Sequence, residues 1–350
     1  MTPHNTTVLV LAGGDSAERD VSLESARGIT AALREAGYRV LVADPARPDI
    51  MPTENDSEIF RDTRIGEAPP EIGDDLYTER AEFARVLSAH QSYGIDVVFL
   101  GLHGGAGEDG TIQALLEYVG VPHTGSSSAA CAFAMDKQRA KILAAAAGVR
   151  VIHGVQLAPS ALAAGTLEQT VRETVGLPCV VKPNSQGSSV GLTIVHEFAQ
   201  LDVAAVAAFV TDTHILIEQY IEGREITHAV VEGLDDIPLL EIKAKSGLYD
   251  YKSKYQAGGA EYLVPAPIDE TTAAAIKESA RRTFNALGMS VYGRVDFRLD
   301  NNGQHYLLEA NSLPGMTATS LVPKMCKSIG VDYVELCDRI VKRSLDRFSG

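Results

Sequence analysis

Two short runs late in the chain carry residue types that phosphate chemistry uses. Gly293-Arg294-Val295-Asp296 is followed, after one turn-rich run, by Leu308-Glu309-Ala310-Asn311. Tyr292, Val295, Phe297 and Leu299 flank the polar residues of the first run, which reads as a strand. Asp300-Asn301-Asn302-Gly303 follows, and Asn302-Gly303 favours a tight hairpin. His305-Tyr306-Leu307-Leu308-Glu309 is the returning strand. Side chains two apart on a strand share a face. Arg294 and Asp296 therefore point one way, and so do Glu309 and Asn311. A closed hairpin gathers Asp296, Glu309 and Asn311 as hard oxygen ligands with a guanidinium beside them. Such a set suits Mg²⁺ that also binds substrate phosphates. An Asp and a Glu on a hairpin can equally be solvated surface, so their meaning depends on what accompanies them.

What accompanies them is cationic and small. Pro178-Cys179-Val180-Val181-Lys182-Pro183 reads as a strand that runs into Asn184-Ser185-Gln186-Gly187-Ser188-Ser189-Val190-Gly191. Backbone N–H groups and hydroxyls in such a loop can wrap phosphate oxygens, and Lys182 just before it supplies a fixed cation. Lys137, on a helix capped by Asp136, is a second cation. Glu218 and Glu225, on and just after a closing strand, could accept hydrogen bonds from an adenine amino group and a ribose.

Several elements must position these groups. Thr7 to Ala12 is a buried strand ending in Gly13-Gly14, followed by a helix from about Ser22 to Ala36 that Gly37 closes. Val40 to Ala43 and Asp96 to Leu100 are further strands, the latter running into Gly101-Leu102-His103-Gly104-Gly105. Strands alternating with helices imply a doubly wound parallel sheet, with ligands at the carboxyl ends of its strands. Gly13 to Asp20 and His103 to Gly110 then share one rim. The acidic stretch from about Asp49 to Ala89, with Pro69-Pro70, reads as a surface insertion. Val149 to Leu157 is expected as a strand, Thr166 to Val175 as a helix, Thr193 to Val195 as a strand, Glu197 to Val210 as a helix and His214 to Ile221 as a strand, making a small α+β unit. Thr227 to Val231 and Pro238 to Lys243 are strands of a third portion. Lys245 to Pro267 reads as one long loop, which in a compact domain is usually functional. Asp269 caps an amphipathic helix with Ile276, Ala280, Phe284 and Leu287 on one stripe. A loop runs on from Ser312, and a helix from about Asp332 to Phe348 ends the chain. The expected units are 1–125, 126–221 and 222–350.

The bulk properties set limits. The 350 residues suffice for two or three domains with cores of their own. With 45% hydrophobic and 22% charged residues the composition is that of a soluble globular protein. A net charge of −15, with no run of Lys and Arg, argues against a nucleic-acid partner. Cys131, Cys179, Cys326 and Cys337 are scattered and read as small buried residues of a reducing compartment. The polar Met1 to Thr7 gives no signal peptide, and no apolar stretch approaches a membrane span, so a cytoplasmic protein is expected.

In order and spacing, the motifs resemble the ATP-grasp superfamily and, within it, the D-alanine–D-alanine ligase family. They are Gly13-Gly14-x-Ser16-Ala17-Glu18-Arg19-x-Val21-Ser22, His103-Gly104-x-x-Gly107-Glu108-Asp109-Gly110, Met135-Asp136-Lys137, Val181-Lys182-Pro183 with Gly187-Ser188-Ser189-Val190-Gly191, Tyr249-Asp250-Tyr251 with Lys254-Tyr255, Gly293-Arg294-x-Asp296, and Leu308-Glu309-x-Asn311 with Pro314-Gly315-Met316. The resemblance covers nearly the whole chain. It implies a three-domain ATP-grasp fold, α/β and α+β, with an N-terminal doubly wound parallel-sheet domain. The implied reaction is ATP-dependent ligation of two D-alanines through an acyl phosphate, for peptidoglycan precursors, by a cytoplasmic homodimer. By the family pattern Lys137 and Lys182 contact phosphates, and Ser188, Ser189, Lys254 and Leu308 also line the nucleotide. Glu218, Ile221 and Glu225 meet adenine and ribose. Asp296, Glu309 and Asn311 hold two Mg²⁺ (or Mn²⁺), with Glu309 shared. Glu18 binds the first ammonium, and His103 orients that substrate. Arg294 and Gly315 face the oxyanion. Ser320 and Leu321 take the second carboxylate. Ser188 and Tyr255 link to Glu18 to close the loops.

Departures from the pattern are small: Asn184-Ser185-Gln186 stands where many relatives carry Ser and a charged residue, and Ser312 where Thr is frequent. The acidic stretch 49–89 has no clear counterpart. A related ligase with a D-serine, D-lactate or specialised-pathway acceptor is the nearest alternative, and Lys254-Tyr255 argues for the dipeptide. A regulator with a dead nucleotide site conflicts with the intact Asp296, Glu309, Asn311, Arg294 and lysines. A nicotinamide dehydrogenase lacks the G-x-G-x-x-G fingerprint.

Overall fold

The computed structural model describes residues 3–61, 66, 76–244 and 259–349. Strands β1 (Thr7–Leu11), β2 (Arg39–Ala43) and β3 (Val97–Leu100) form a parallel sheet in the order β2-β1-β3. Every residue of β1 and β3 is buried, as Val- and Leu-rich strands covered on both faces require. The helix Arg19–Glu35 crosses from β1 to β2. It approaches the sheet closely where Gly101 lacks a side chain: a Cβ there would lie 2.7 Å from Leu11 O and 3.1 Å from Ala26 Cβ. The stretch expected as a surface insertion is only partly so. Thr53 bridges back to Val42, and the helix Leu76–Ser88 buries Phe83 and Leu87 in the core of this sheet.

The second sheet is antiparallel, in the order β4-β7-β5-β6, with β4 (Gly154–Leu157), β5 (Cys179–Pro183), β6 (Thr193–Val195) and β7 (Ile215–Gln219). Alternation sorts its two faces. Cys179 and Val181 of β5, with Ile215 and Ile217 of β7, join a core under the helices Leu167–Thr174 and Leu201–Phe209. Val180, Lys182 and Glu218 face the other way, into a cavity.

A third sheet, also antiparallel, has the order β10-β9-β8-β11-β12: β8 (Gly223–Val231), β9 (Leu240–Ala244), β10 (Ala260–Leu263), β11 (Tyr292–Asp300) and β12 (His305–Asn311). The helix Glu270–Ala286, whose N-cap Asp269 accepts from Thr272 N at 2.9 Å, lays Ile276 and Ala280 on Val295, Phe297 and Leu307. Asp136 caps the helix Lys137–Ala146 through Arg139 N, 2.9 Å away. That helix and Ser128–Met135 before it pack on β12. The last helix, Tyr333–Ser349, returns to Arg19–Glu35, and its Ile340 and Val341 complete the first core.

The chain differs from expectation in several places. β4 covers only the second half of Val149 to Leu157, and a short helix, Pro159–Ala163, follows it. β10 lies within the stretch read as one loop; residues 245–258 of that stretch are outside the described residues. The stretch after Ser312 holds a helix, Leu321–Lys327, because Val322, Met325 and Cys326 are buried in the first core and Pro323 sits in its first turn, where no N–H is missed.

Candidate active site

The β11–β12 hairpin closes as its residue types require. The turn is a three-residue loop, Asn301 to Gly303, with Gly303 at φ 78°, the left-handed position that Gly tolerates. Arg294 pairs with Asn311 and Asp296 with Glu309 across the strands. Asp296 is buried and fully engaged. Its Oδ1 accepts from Thr227 Oγ1 at 2.5 Å and Arg294 Nε at 2.9 Å, and its Oδ2 accepts from Arg294 Nη2 at 2.8 Å and Asn311 Nδ2 at 3.0 Å. Glu309 Oε2 lies 3.4 Å from Lys137 Nζ. The two carboxylates and the Asn311 amide thus lie together, with Arg294, Lys137 and Thr227 beside them. Among the described residues no three His, Cys, Asp or Glu side chains gather into a metal site. The set fits a cation that draws its remaining ligands from phosphate and water, which is the habit of Mg²⁺.

One cavity, of about 130 Å³, lies between the second and third sheets. Lys137, Lys182, Ser189, Ile221, Glu225 and Leu308 line it. Glu218 lines it too, 1% exposed, with Lys182 Nζ 2.7 Å from its Oε2 and Lys141 donating to its Oε1. Burial works to raise the Glu218 pKa, but the two ammonium groups outweigh it and hold the carboxyl below its usual range. Lys141 is pulled down to about 8, by burial first; Glu218 opposes this, and Lys182 and Lys137 reinforce it. Arg298 Nε donates to Ile221 O at 3.0 Å, and its Nη1 stands 3.6 Å from Glu225 Oε2.

The Ser-rich loop separates this cavity from a second one. Ser188 and Ser189 adopt left-handed φ of 52° and 57°, conformations that non-glycine residues hold only where the surroundings impose them. Lys137 supplies part of that hold: its Nζ donates to Gln186 O at 2.6 Å, and its N–H donates to Asn184 O at 3.1 Å.

The second cavity, of about 340 Å³, is lined by Glu18, His103, Glu108, Ser188, Gly315 and Ser320, with Tyr262 and Leu321 also in its wall. Ser188 Oγ donates to Glu18 Oε1, joining the first sheet's rim to the Ser-rich loop. The bidentate Arg19–Asp44 pair and the Gly14 N–H to Asp44 Oδ1 bond, 3.0 Å, pin the turn that presents Glu18. His103 is buried and meets Ser25 Oγ at 2.9 Å; burial lowers its pKa and keeps the ring neutral. Glu108 accepts from Gly104 N at 3.0 Å, and burial, then the charge of Glu18, push its carboxyl up to about 7. Gly315 lies where a Cβ would be 3.1 Å from Ser320 Oγ. Lys137, Gln186, Arg294 and Glu309 line both cavities, so the two chambers meet there.

All the site residues read from the sequence line one chamber or the other, except Lys254 and Tyr255, which lie outside the described residues. Sequence reasoning gave no role to Lys141, Glu108, Arg298 or Tyr262. Lys141 carried a usable signal, since a residue four after Lys137 shares its helix face. Glu108 sat inside a quoted motif without a task.

Two family descriptions match the chain: "D-ala D-ala ligase N-terminus" over residues 7–126 and "D-ala D-ala ligase C-terminus" over 143–342. A D-alanine–D-alanine ligase of Halalkalibacterium halodurans is 38% identical over 97% of this chain and 99% of its own length. Among solved structures, the VanG D-Ala:D-Ser ligase of Enterococcus faecalis aligns with a TM-score of 0.80 at 29% identity, over 97% of this chain and 99% of that one. A D-alanine–D-alanine ligase of Bacillus anthracis complexed with ATP aligns at 0.72 and 26% identity, over 98% and 99%.

Proposed function

The chain belongs to the D-alanine–D-alanine ligase family, and we propose that it joins two D-alanines, with ATP as the driving substrate, into D-alanyl-D-alanine for peptidoglycan precursors. The observation that carries this reading is the meeting of the two chambers at Lys137, Gln186, Arg294 and Glu309. A phosphoryl group bound in one chamber and a carboxylate bound in the other come together at that junction.

The chemistry follows from the groups at hand. A carboxylate is a poor electrophile, and phosphorylating it gives an acyl phosphate. Lys137 and Lys182 neutralise phosphate charge during that step. Ser189 and Leu308 form walls of the nucleotide chamber, Ser188 stands on the loop between the two chambers, and Lys254 is assigned to the nucleotide as well. Glu218, Ile221 and Glu225 take the base and ribose. Asp296, Glu309 and Asn311 would hold two Mg²⁺, which would offset the charge of the phosphates. Glu18 receives the ammonium of the first D-alanine, and neutral His103 helps to orient it. The second D-alanine's amine, having lost its proton, then attacks the activated carbonyl, and the tetrahedral intermediate collapses with cleavage of the C–O bond to inorganic phosphate. Arg294 and the Gly315 N–H stabilise the oxyanion, while Ser320 and Leu321 hold the second carboxylate. The Glu18–Ser188 bond keeps the site closed so that water does not take the acyl phosphate, and Tyr255 is assigned to the same task.

Three units carry the work, 1–125, 126–221 and 222–350, in a homodimer of the cytoplasm; the four buried cysteines fit a reducing compartment. No helix among the described residues is long and apolar enough to cross a membrane. The acceptor is the point to test, because one similar structure is that of a D-Ala:D-Ser ligase. Incubation with ATP, Mg²⁺ and D-alanine, alone or with D-serine or D-lactate, followed by mass analysis of products, is expected to give mainly D-alanyl-D-alanine. A dominant ester or a dominant D-alanyl-D-serine would overturn the choice of acceptor, and D-alanine-independent ADP release would overturn the reaction.

A further inference from the structure

The helix Lys137–Ala146 turns two lysines toward the site, but only Lys137 lines the chambers. Lys141, one turn further on, is buried behind the wall and donates to Glu218 Oε1, while Lys182 holds Glu218 Oε2 at 2.7 Å. Less than a tenth of any of these three side chains is exposed. Two ammonium groups on one carboxylate leave a single net positive charge, and the member of the pair that faces the nucleotide chamber is Lys182. A lysine that is the sole partner of a buried carboxylate cannot turn to another anion without stranding that carboxylate, which is strongly unfavourable. With Lys141 in place the carboxylate keeps a partner whichever way Lys182 points.

We infer that Lys141 is a positioning residue of the nucleotide chamber: it holds Glu218 from behind and so frees Lys182 to serve the phosphates. This rests on the ATP-dependent reading above and deepens it. The contact also joins the two walls of the chamber. Lys141 stands on a helix packed against β12, and Glu218 on β7 of the second sheet, 77 residues away in the chain. The charged groups that face Lys141 are Glu218 on β7, Lys182 on β5 and Lys137 on its own helix. Glu309 of β12 pairs with Lys137, and the helix Glu270–Ala286 meets this helix through apolar Ala280 against Ala144.

The role has a pH signature. Lys141 titrates at about 8. As pH rises through that value its charge is lost, Glu218 falls back on Lys182 alone, and nucleotide affinity drops.

The test is calorimetric binding of ADP with Mg²⁺, together with KM for ATP and for D-alanine, in wild type, K141M and K141R. K141M is expected to weaken nucleotide binding about tenfold or more while the D-alanine KM stays nearly constant. K141R restores binding and removes the fall in affinity above about pH 8, because a guanidinium keeps its proton. An identical pH profile in wild type and K141R, or a D-alanine KM that rises as far as the ATP KM in K141M, overturns the inference. The wild-type and K141R profiles decide the matter even where K141M fails to fold. A wild type that binds no nucleotide refutes the proposed function instead, whereas normal binding in a folded K141M refutes only the role of Lys141.

Discussion

Glu108 gives a quantitative handle on the amino-acid chamber. Its carboxyl moves from 4.5 to about 7, through burial first and then the nearby charge of Glu18. Below pH 4.5 the group is protonated whether the chain is folded or not, and it costs nothing. Between 4.5 and 7 the unfolded chain ionises first, so each rise in pH lowers the stability of the fold. Above 7 both states are charged, and the folded one carries a constant penalty of about 3 kcal/mol. Glu108→Gln removes the ionisation and keeps an oxygen for the Gly104 N–H, which now donates to Glu108 over 3.0 Å. The variant should therefore be more stable than wild type at neutral and alkaline pH. The gap should open between pH 4.5 and 7 and stay level above that. The chain has no Trp, so urea unfolding is best followed by far-UV circular dichroism, in steps from about pH 5 to about pH 9. A gap independent of pH, or a Gln variant less stable at pH 8, refutes the reasoning. Glu18→Gln offers a control. It removes the second contribution, so the wild-type titration of Glu108 should fall toward its ordinary value and the gap should narrow.

The other expectations concern the chemistry. Asp296→Asn and Glu309→Gln should each lower D-alanine-dependent ADP release about a hundredfold or more, and activity within tenfold of wild type would exclude them as metal ligands. Arg294→Ala should cut dipeptide formation about a hundredfold while calorimetry still finds nucleotide bound, since Thr227 and Asn311 continue to hold Asp296; an equal loss of nucleotide binding would show the role misassigned. Gly187→Ala would place a Cβ 2.9 Å from Glu18 Oε2 and push that carboxylate off Ser188, so the D-alanine KM should rise well ahead of the ATP KM. An unchanged D-alanine KM in that variant would mean that the Glu18–Ser188 bond does not shape the substrate chamber.

Much of the fold was legible because its signals are local. The apolar runs Val8 to Leu11 and Val97 to Leu100, the Asp136 and Asp269 caps and the stripe of Ile276, Ala280 and Phe284 each declare an element without reference to the rest of the chain. The elements that sequence reading passed over are held by distant partners. The helix Leu321–Lys327 is short and contains Pro323, and it exists because Val322 and Met325 complete the first core. β10 is an edge strand of four residues whose register is set by β9. In the site, Lys182 and the Ser-rich loop could be read from residue type and order. The pairing of Glu218 with Lys141 could not, because the face on which a strand residue sits does not name its partner.

The β11–β12 hairpin shows how periodicity can fail along a strand and still bring Asp296, Glu309 and Asn311 together. Leu307 packs in the core with Val295 and Phe297, whereas Glu309, two residues on, faces the chambers. A regular strand forbids this, since residues two apart share a face. The register resolves it. Phe297 pairs with Leu307 and Asp296 with Glu309, so Leu308 is one residue too many, and the strand is bulged there. The extra residue reverses the phase of β12. Before it, Leu307 answers a core residue; after it, Glu309 and Asn311 answer Asp296 and Arg294. Leu308 itself, freed from the ladder, lines the cavity between the second and third sheets. Alternation read within Glu309 to Asn311 is therefore sound, but carried back through Leu307 it would have turned Glu309 into the core. The cluster of Asp296, Glu309 and Asn311 depends on that one inserted residue: with the bulge the two carboxylates share a face, and without it an ionised Glu309 would be buried among Val295, Phe297 and Leu299, where a charge without a partner is strongly disfavoured.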